Sequence, residues 1–305
     1  MNNKPLVSVI IPCYNHEKYI TSTIESVILQ TYQNLEILII DDHSTDISYD
    51  TILSLEENIK QRCISYKIIR NDSNLGTAQT LNKIAKFANG EYVYLIASDD
   101  IALPNAIETL HNCITQNPQY SLIACNNAFI DQNGKEILRD KFSTFGEQLR
   151  NARKDVDWLS EDFGSYKTLL SGNYITNGYL IKLEALKSVN YWGYPLEDYA
   201  LMLALAKEHK FKYLDQVLFQ YRIHPHNSIN NQLKMTQYTL TVLQKEQEYA
   251  TKNGYLEEFN KQTTSLMQSI ISTIYTQNPN IRPITFRDVK RYFKRKIKKI
   301  FGIKS

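Results

Sequence analysis

The stretch Glu91-Tyr-Val-Tyr-Leu-Ile-Ala-Ser-Asp-Asp100 decides how this 305-residue chain is read. Tyr92 to Ile96 form an unbroken apolar and aromatic run, the pattern of a strand buried on both faces. Two adjacent carboxylates, Asp99 and Asp100, follow at its end. In an open α/β sheet, ligands bind outside the carboxyl ends of the strands. Hard oxygen donors there suit Mg²⁺ or Mn²⁺ bridging a diphosphate. The same residues also fit a plain turn, with Asp99 or Asp100 capping a helix that has Pro104 in its first turn.

The flanking sequence carries the same pattern. Val7–Ile11 reads as a β-branched strand ending at Pro12-Cys13-Tyr14-Asn15. Asn15 is placed to cap a helix running to about Ile28. Leu35–Ile40 reads as a second strand ending at Asp41-Asp42, with a helix starting at Ser44 or Thr45. Ser65–Ile69 is a third strand and Thr77–Phe87 a third helix, closed by Asn89-Gly90. Pro104–Gln116 is a helix, and Ser121–Ile130 a strand turning at Asp131-Gln-Asn-Gly134. Strands alternating with helices predict an α/β fold with a mainly parallel sheet and right-handed crossovers. Three polar strand ends would then meet at one edge, the usual place for a nucleotide and a metal.

After Lys135 the alternation stops, and residues 136–176 show no period. Tyr199–Lys207 reads as a helix, Val217–Ile223 as a strand, and 232–252, 255–277 and 284–303 as amphipathic helices. The size allows one large or two small domains. Apolar and charged fractions of 43% and 22% fit a soluble globular protein. The four cysteines form no CxxC pair, so a thiolate zinc or redox site is not indicated, and they read as reduced thiols of a cytosolic protein. The apolar run Leu6–Cys13 is too short to span a membrane. Residues 282–305 hold ten Lys/Arg against Asp288, a net +9; the remainder, 25 basic against 31 acidic, is −6.

The combination VSVIIPCYNHEKYI (7–20), SVILQTY (26–32), LEILIIDDHSTD (35–46) and GEYVYLIASDD (90–100) resembles the family-two inverting glycosyltransferases. The likeness is strongest over residues 5–130 and thinner to about 230. It implies a GT-A fold: a Rossmann-like, mostly parallel sheet flanked by helices, here with a C-terminal helical extension. Residues 1–130 would be the nucleotide-sugar-binding half, 131–230 the acceptor-binding half, 231–281 the extension and 282–305 a basic tail.

The resemblance also implies roles. Pro12 and Tyr14 would line the nucleobase pocket, with Asn15 beside them at the strand end. Asp42 would accept from uracil N3–H, as a carboxylate suits. His43 replaces the usual glycine and would take positive φ. Asn74, in the turn before the third helix, would lie close to the donor. Ala97 replaces the first acid of the family's Asp-x-Asp motif, so Asp100 would ligate Mg²⁺ or Mn²⁺, and Asp99 would contact the ribose or the metal's water shell. Asp198 would be the catalytic base, with Glu197 positioning it or the acceptor; an inverting displacement needs one carboxylate to deprotonate the attacking hydroxyl. Both also suit a helix N-terminus electrostatically. In Tyr221-Arg-Ile-His224, His224 would reach the metal or diphosphate, and Arg222 a phosphate or an acid.

From Phe286 to Ile303 a basic amphipathic pattern reads as binding to an inner-leaflet membrane surface. Packing on the body and nucleic-acid contact are the other readings, and the acidic body disfavours the last. The expected partners are thus a nucleotide-sugar donor and a glycan or lipid-linked glycan acceptor, with no nucleic acid. The protein would be cytoplasmic and peripheral to the inner face of the plasma membrane. The two long helices after residue 230 offer a surface for homo-oligomerisation. A nucleotidyltransferase would want a Gly-rich phosphate loop after the first strand, and residues 12–18 hold no glycine. A non-catalytic nucleotide- or lipid-binding protein of the same fold would bind UDP without turnover.

Overall fold

The computed structural model describes residues 4–139, 141–190, 193, 195–227 and 230–277. The first half runs β1 (Val7–Cys13), α1 (Ile20–Ile28), β2 (Leu35–Asp41), α2 (Ser48–Ser54), α3 (Glu56–Arg62), β3 (Ser65–Arg70), α4 (Thr77–Ala85), β4 (Tyr92–Leu95), β5 (Ile101–Ala102), α5 (Ala106–Gln116) and β6 (Tyr120–Ile130). There follow β7 (Glu136–Ile137), α6 (Phe145–Ala152), α7 (Tyr166–Leu170), β8 (Leu180–Lys182), α8 (Leu183–Ser188), α9 (Glu197–Leu205), β9 (Lys210–Arg222), α10 (Gln232–Lys252) and α11 (Leu256–Gln277).

These strands join one sheet in the order β3-β2-β1-β4-β8-β6-β9-β5, with β7 on β6. The first four are parallel, as the alternation predicts. The second half is mixed rather than parallel: β8 runs antiparallel to both β4 and β6, and β5 antiparallel to β9. β8 spans three residues only, too few to announce itself by periodicity.

Both faces of the central strands β1, β2 and β4 are buried, which is why these are mostly apolar, while the edge strand β3 is partly exposed. Along β1, Val7, Val9, Ile11 and Cys13 pack with α1, α2, α3 and α5, while Ile10 faces the cluster that takes in α4, α7, α9 and α10. β2 and β4 divide their residues in the same alternating way. Register brings the ends of β1 and β2 level, Cys13 opposite Asp41, and Asp42 N–H donates to Cys13 O at 2.8 Å.

Several helix starts differ from the sequence reading because polar residues near them have other partners. Asn15 does not cap α1; Tyr19 stands there, and Asn15 sits at φ 54° with its Oδ1 accepting from Thr45 N–H. α2 starts at Ser48 rather than Ser44, because Ser44 N–H donates to Asp41 Oδ2 and holds the loop open. Asn89-Gly90 does not cap α4, which ends at Ala85. Its backbone N–H groups donate instead to the buried carboxylate of Glu36. A Cβ on Gly90 would lie 2.7 Å from Leu6 O and Ser8 N, so only glycine fits that crossing. The helix expected over 284–303 lies outside the described residues.

Candidate active site

The end of β2 builds the first part. Asp42 is 5% exposed. Its Oδ1 accepts from Asn71 Nδ2 and Leu75 N–H, and its Oδ2 from Gly76 N–H, each at 2.8 Å. A carboxylate offers about four acceptor positions, so one remains for a further N–H. Gly76 carries φ 81° and His43 φ 64°, both in the left-handed region their turns require. Asn74 is exposed, and its Oδ1 accepts from Gly76 N–H, shaping the loop. Pro12 is half-buried and Tyr14 is 43% exposed where β1 runs out. Asn15 ties the two strand ends together, its N–H donating to Ser44 Oγ.

The turn after β4 builds the second part. Polar groups on the buried face of α1 hold it: Thr23 Oγ1 donates to Asp100 O at 2.7 Å, and Ser26 Oγ accepts from Ala102 N–H. Asp99 Oδ2 lies 3.0 Å from His224 Nε2. His16, from the loop after β1, completes a group with Asp99 and His224 whose ligand atoms all lie within 4.8 Å of one another. His16 Nδ1 meets Ser98 Oγ at 2.8 Å, and Tyr19 lies against the His224 ring with centroids 4.8 Å apart. One carboxylate and two imidazoles are a donor set that fits a divalent ion. Burial lowers the His16 pKa, which favours the neutral ring a ligand needs.

Two expectations here need correction. Asp100 does not join this donor set. It is fully buried; its Oδ1 accepts from Arg222 N–H at 2.9 Å, and Oδ2 has no hydrogen-bond partner among the described residues. Burial first, then the adjacent Asp99 charge, raises its pKa well above the usual carboxylate range. Arg222 does not point into open space for a phosphate. Its guanidinium is spent on Asp99 O at 2.7 Å, Asp131 O at 3.2 Å and Ser22 Oγ, beneath the Tyr19 ring. It is a strut that holds the Asp99 turn to β9.

The start of α9 builds the third part. Asp198 Oδ1 accepts from Tyr199 N–H at 2.6 Å and Oδ2 from Asn173 Nδ2 at 3.0 Å. Buried Tyr199 anchors the helix by donating to Leu169 O at 2.8 Å. Glu197 and Asp198 keep some surface open yet are crowded by protein. Burial, then the Asp198 charge, pushes Glu197 up to about 7; burial also raises Asp198 against the hydrogen bonds it accepts. Tyr221, on β9, has its pKa raised by burial first and then by the charges of Asp100, Asp99 and Asp198.

The profile of Glycosyl transferase family 2 matches residues 8–170 of the chain. The chain belongs to this family. An uncharacterized glycosyltransferase of Haemophilus influenzae is 32% identical over 209 residues, 68% of this chain and 74% of its own. The Escherichia coli UDP-Glc:alpha-D-GlcNAc-diphosphoundecaprenol beta-1,3-glucosyltransferase WfgD is 32% identical over 149 residues, 48% of this chain and 56% of its own. Among solved structures, the mannosyltransferase PcManGT of Pyrobaculum calidifontis, in complex with GDP-Man and Mn²⁺, superposes with a TM-score of 0.63 at 13% identity, covering 99% of this chain and 89% of that one. The GT-A architecture is therefore shared, including the C-terminal helices. No described helix is long and apolar enough to cross a membrane.

For this family-2 glycosyltransferase, the sequence alone did not mark His16 or Asn173. His16 sits among polar loop residues with no spacing that links it to Asp99. Asn173, in Gly172-Asn173, looks like turn punctuation, and only the fold brings it to Asp198.

Proposed function

We propose that this family-2 enzyme transfers a sugar, with inversion, from a nucleotide-sugar to a hydroxyl of a glycan or lipid-linked glycan in cell-surface polysaccharide synthesis. The observation that carries the reading is that Asp42 and Asp99 follow the carboxyl ends of the parallel strands β2 and β4, and that Asn173, which holds Asp198, lies just before the Gly178 N–H bonded to Leu95 O at the end of β4. UDP is the favoured nucleotide. Asp42 has one acceptor position left for a single N–H, which matches uracil N3–H, and the WfgD relative is named for UDP-Glc. Pro12, Tyr14 and Asn74 would line the nucleobase pocket with Asp42. That relative is also named for a diphosphoundecaprenol acceptor, which favours a lipid-linked one here.

Asp99 and His224 would hold a divalent cation, and bound there it neutralises charge on the departing nucleoside diphosphate. Asp198 takes the proton from the acceptor hydroxyl as its oxygen attacks the anomeric carbon, and Asn173 keeps the carboxylate oriented. Glu197, raised by burial and by the Asp198 charge, would position the base or the acceptor. The basic 284–303 segment would hold the protein at an anionic inner leaflet, beside such an acceptor. A panel of nucleotide-sugars with Mn²⁺, scored for nucleoside diphosphate release and transfer, tests the reading. UDP binding without turnover on any donor would favour a non-catalytic binder instead.

A further inference from the structure

The family's acidic motif lacks its first carboxylate here, since Ala97 occupies that position, and the second acid of the pair, Asp100, is turned into the protein. Asp99 is thus the single acid of this turn facing the cluster, and two imidazoles stand where further oxygens would be expected. We infer that His16 supplies the missing ligand, so that His16, Asp99 and His224 form a two-nitrogen, one-oxygen site selective for transition ions over Mg²⁺. This rests on the proposed donor site and names which residues of the chain complete it.

The geometry supports this at each donor. The ligand atoms lie within 4.8 Å of one another. Bonds of about 2.0–2.2 Å to a shared ion require ligand separations of roughly 3–4.4 Å, so small side-chain movements suffice. Ser98 Oγ, 2.8 Å from His16 Nδ1, can accept the Nδ1 proton and leave Nε2 with its lone pair. A hydrogen bond at one ring nitrogen is how a ligating histidine is commonly oriented. His224 Nε2 faces Asp99 Oδ2 at 3.0 Å, where a proton now lies between them. Ligation through Nε2 moves the ring proton to Nδ1 and gives up the 3.2 Å contact from His226 N–H. The edge-on packing of the His16 and His224 rings, 5.7 Å between centroids, keeps both side chains in place before an ion arrives.

Ligand softness gives the selectivity. Mg²⁺ keeps its water and takes carboxylate and phosphate oxygens, whereas imidazole suits first-row transition ions, more strongly from Mn²⁺ to Co²⁺. The oxygens of a bound diphosphate and water would fill the remaining positions. An all-oxygen site built on two carboxylates would not discriminate in this way.

The test is pulsed electron paramagnetic resonance of Mn²⁺ on the full-length protein with UDP, counting directly bound nitrogens. Two are expected in the wild type and one in His16→Gln. Competition read from the free Mn²⁺ signal should show Mn²⁺ preferred over Mg²⁺ by at least about tenfold, falling on substitution. A wild type that binds Mn²⁺ and UDP with one nitrogen or none overturns the His16 assignment while leaving the donor site standing. So does retention of two nitrogens in a folded His16→Gln. A wild type that takes up no Mn²⁺ with UDP overturns the metal reading of the donor site as well. The wild-type count decides even if the variant does not fold.

Discussion

At the scale of single residues, the carboxylates divide by what their oxygens already accept. Asp42 serves the loop at 71–76 with three hydrogen bonds and keeps one position open. Asp42→Asn turns an amide donor either toward Gly76 N–H or toward Leu75 N–H and Asn71 Nδ2. It should lower UDP affinity about tenfold to a hundredfold by calorimetry and reduce stability by roughly 1–3 kcal/mol. Glu197 titrates at about 7, raised by burial and by Asp198. A raised carboxyl pKa means the folded state holds the proton more tightly. The stability it contributes is full below about 4.5 and lost as pH rises through about 7. Glu197→Gln should therefore raise the melting free energy at pH 8 by roughly 1–2 kcal/mol, allowing for partial exposure and sharing with Asp198, and change it little at pH 4. Since the base must be ionised and burial raises Asp198, kcat/KM should climb with pH along a limb lying above the usual aspartate range. The strand-end acids were legible in the sequence because they follow apolar runs. The orientation of Asp100 was not, because neighbouring acids in a turn face opposite ways and only the partner on β9 decides which one turns inward.

Among elements, β1 to β4, β6 and the long helices of the first half were readable from their apolar runs, unlike the two-residue β5, and α10 and α11 from their amphipathic period. The region between them was not. α6 and α7 have eight and five residues, and the aromatic cluster beside them joins Trp158, Phe163 and Tyr174 to Tyr213 of β9, with Tyr174 OH bonded to Thr168 of α7. The first half of β9 also escaped reading, although Phe211 and Tyr213 are buried and alternate with the lysines at 210 and 212. This region carries Asn173, whose amide is the side-chain support of Asp198. Asn173→Ala should cut kcat by about tenfold to a hundredfold with little change in donor KM, the mark of a misaimed base. At the other end of the sheet, Gly90→Ala forces a Cβ against two backbone atoms and should cost roughly 1–3 kcal/mol by denaturant unfolding.

Taken as a whole molecule, the body is acidic and the segment beyond the described helices is basic. The helical extension docks on the catalytic part through polar contacts as well as apolar ones: Lys207 pairs with Glu246, and Tyr166 donates to the same carboxylate at 2.9 Å. We regard α10 and α11 as a buttress behind α9 rather than a separate unit. Removing residues 282–305 should abolish sedimentation with vesicles containing anionic lipid while UDP binding stays within about twofold. A tail that packs on the body instead would leave sedimentation unchanged and lower the melting temperature.

The central claim is that nucleotide-sugar binding at the strand ends is joined to proton removal by Asp198. Transfer from labelled nucleotide-sugars to lipid-linked glycan, compared between wild type and Asp198→Asn at matched UDP affinity, tests it most directly. Loss of transfer by about 10²–10⁴-fold with UDP binding intact is the expected result. Full transfer by Asp198→Asn, or a wild type that binds no nucleoside diphosphate, would contradict it.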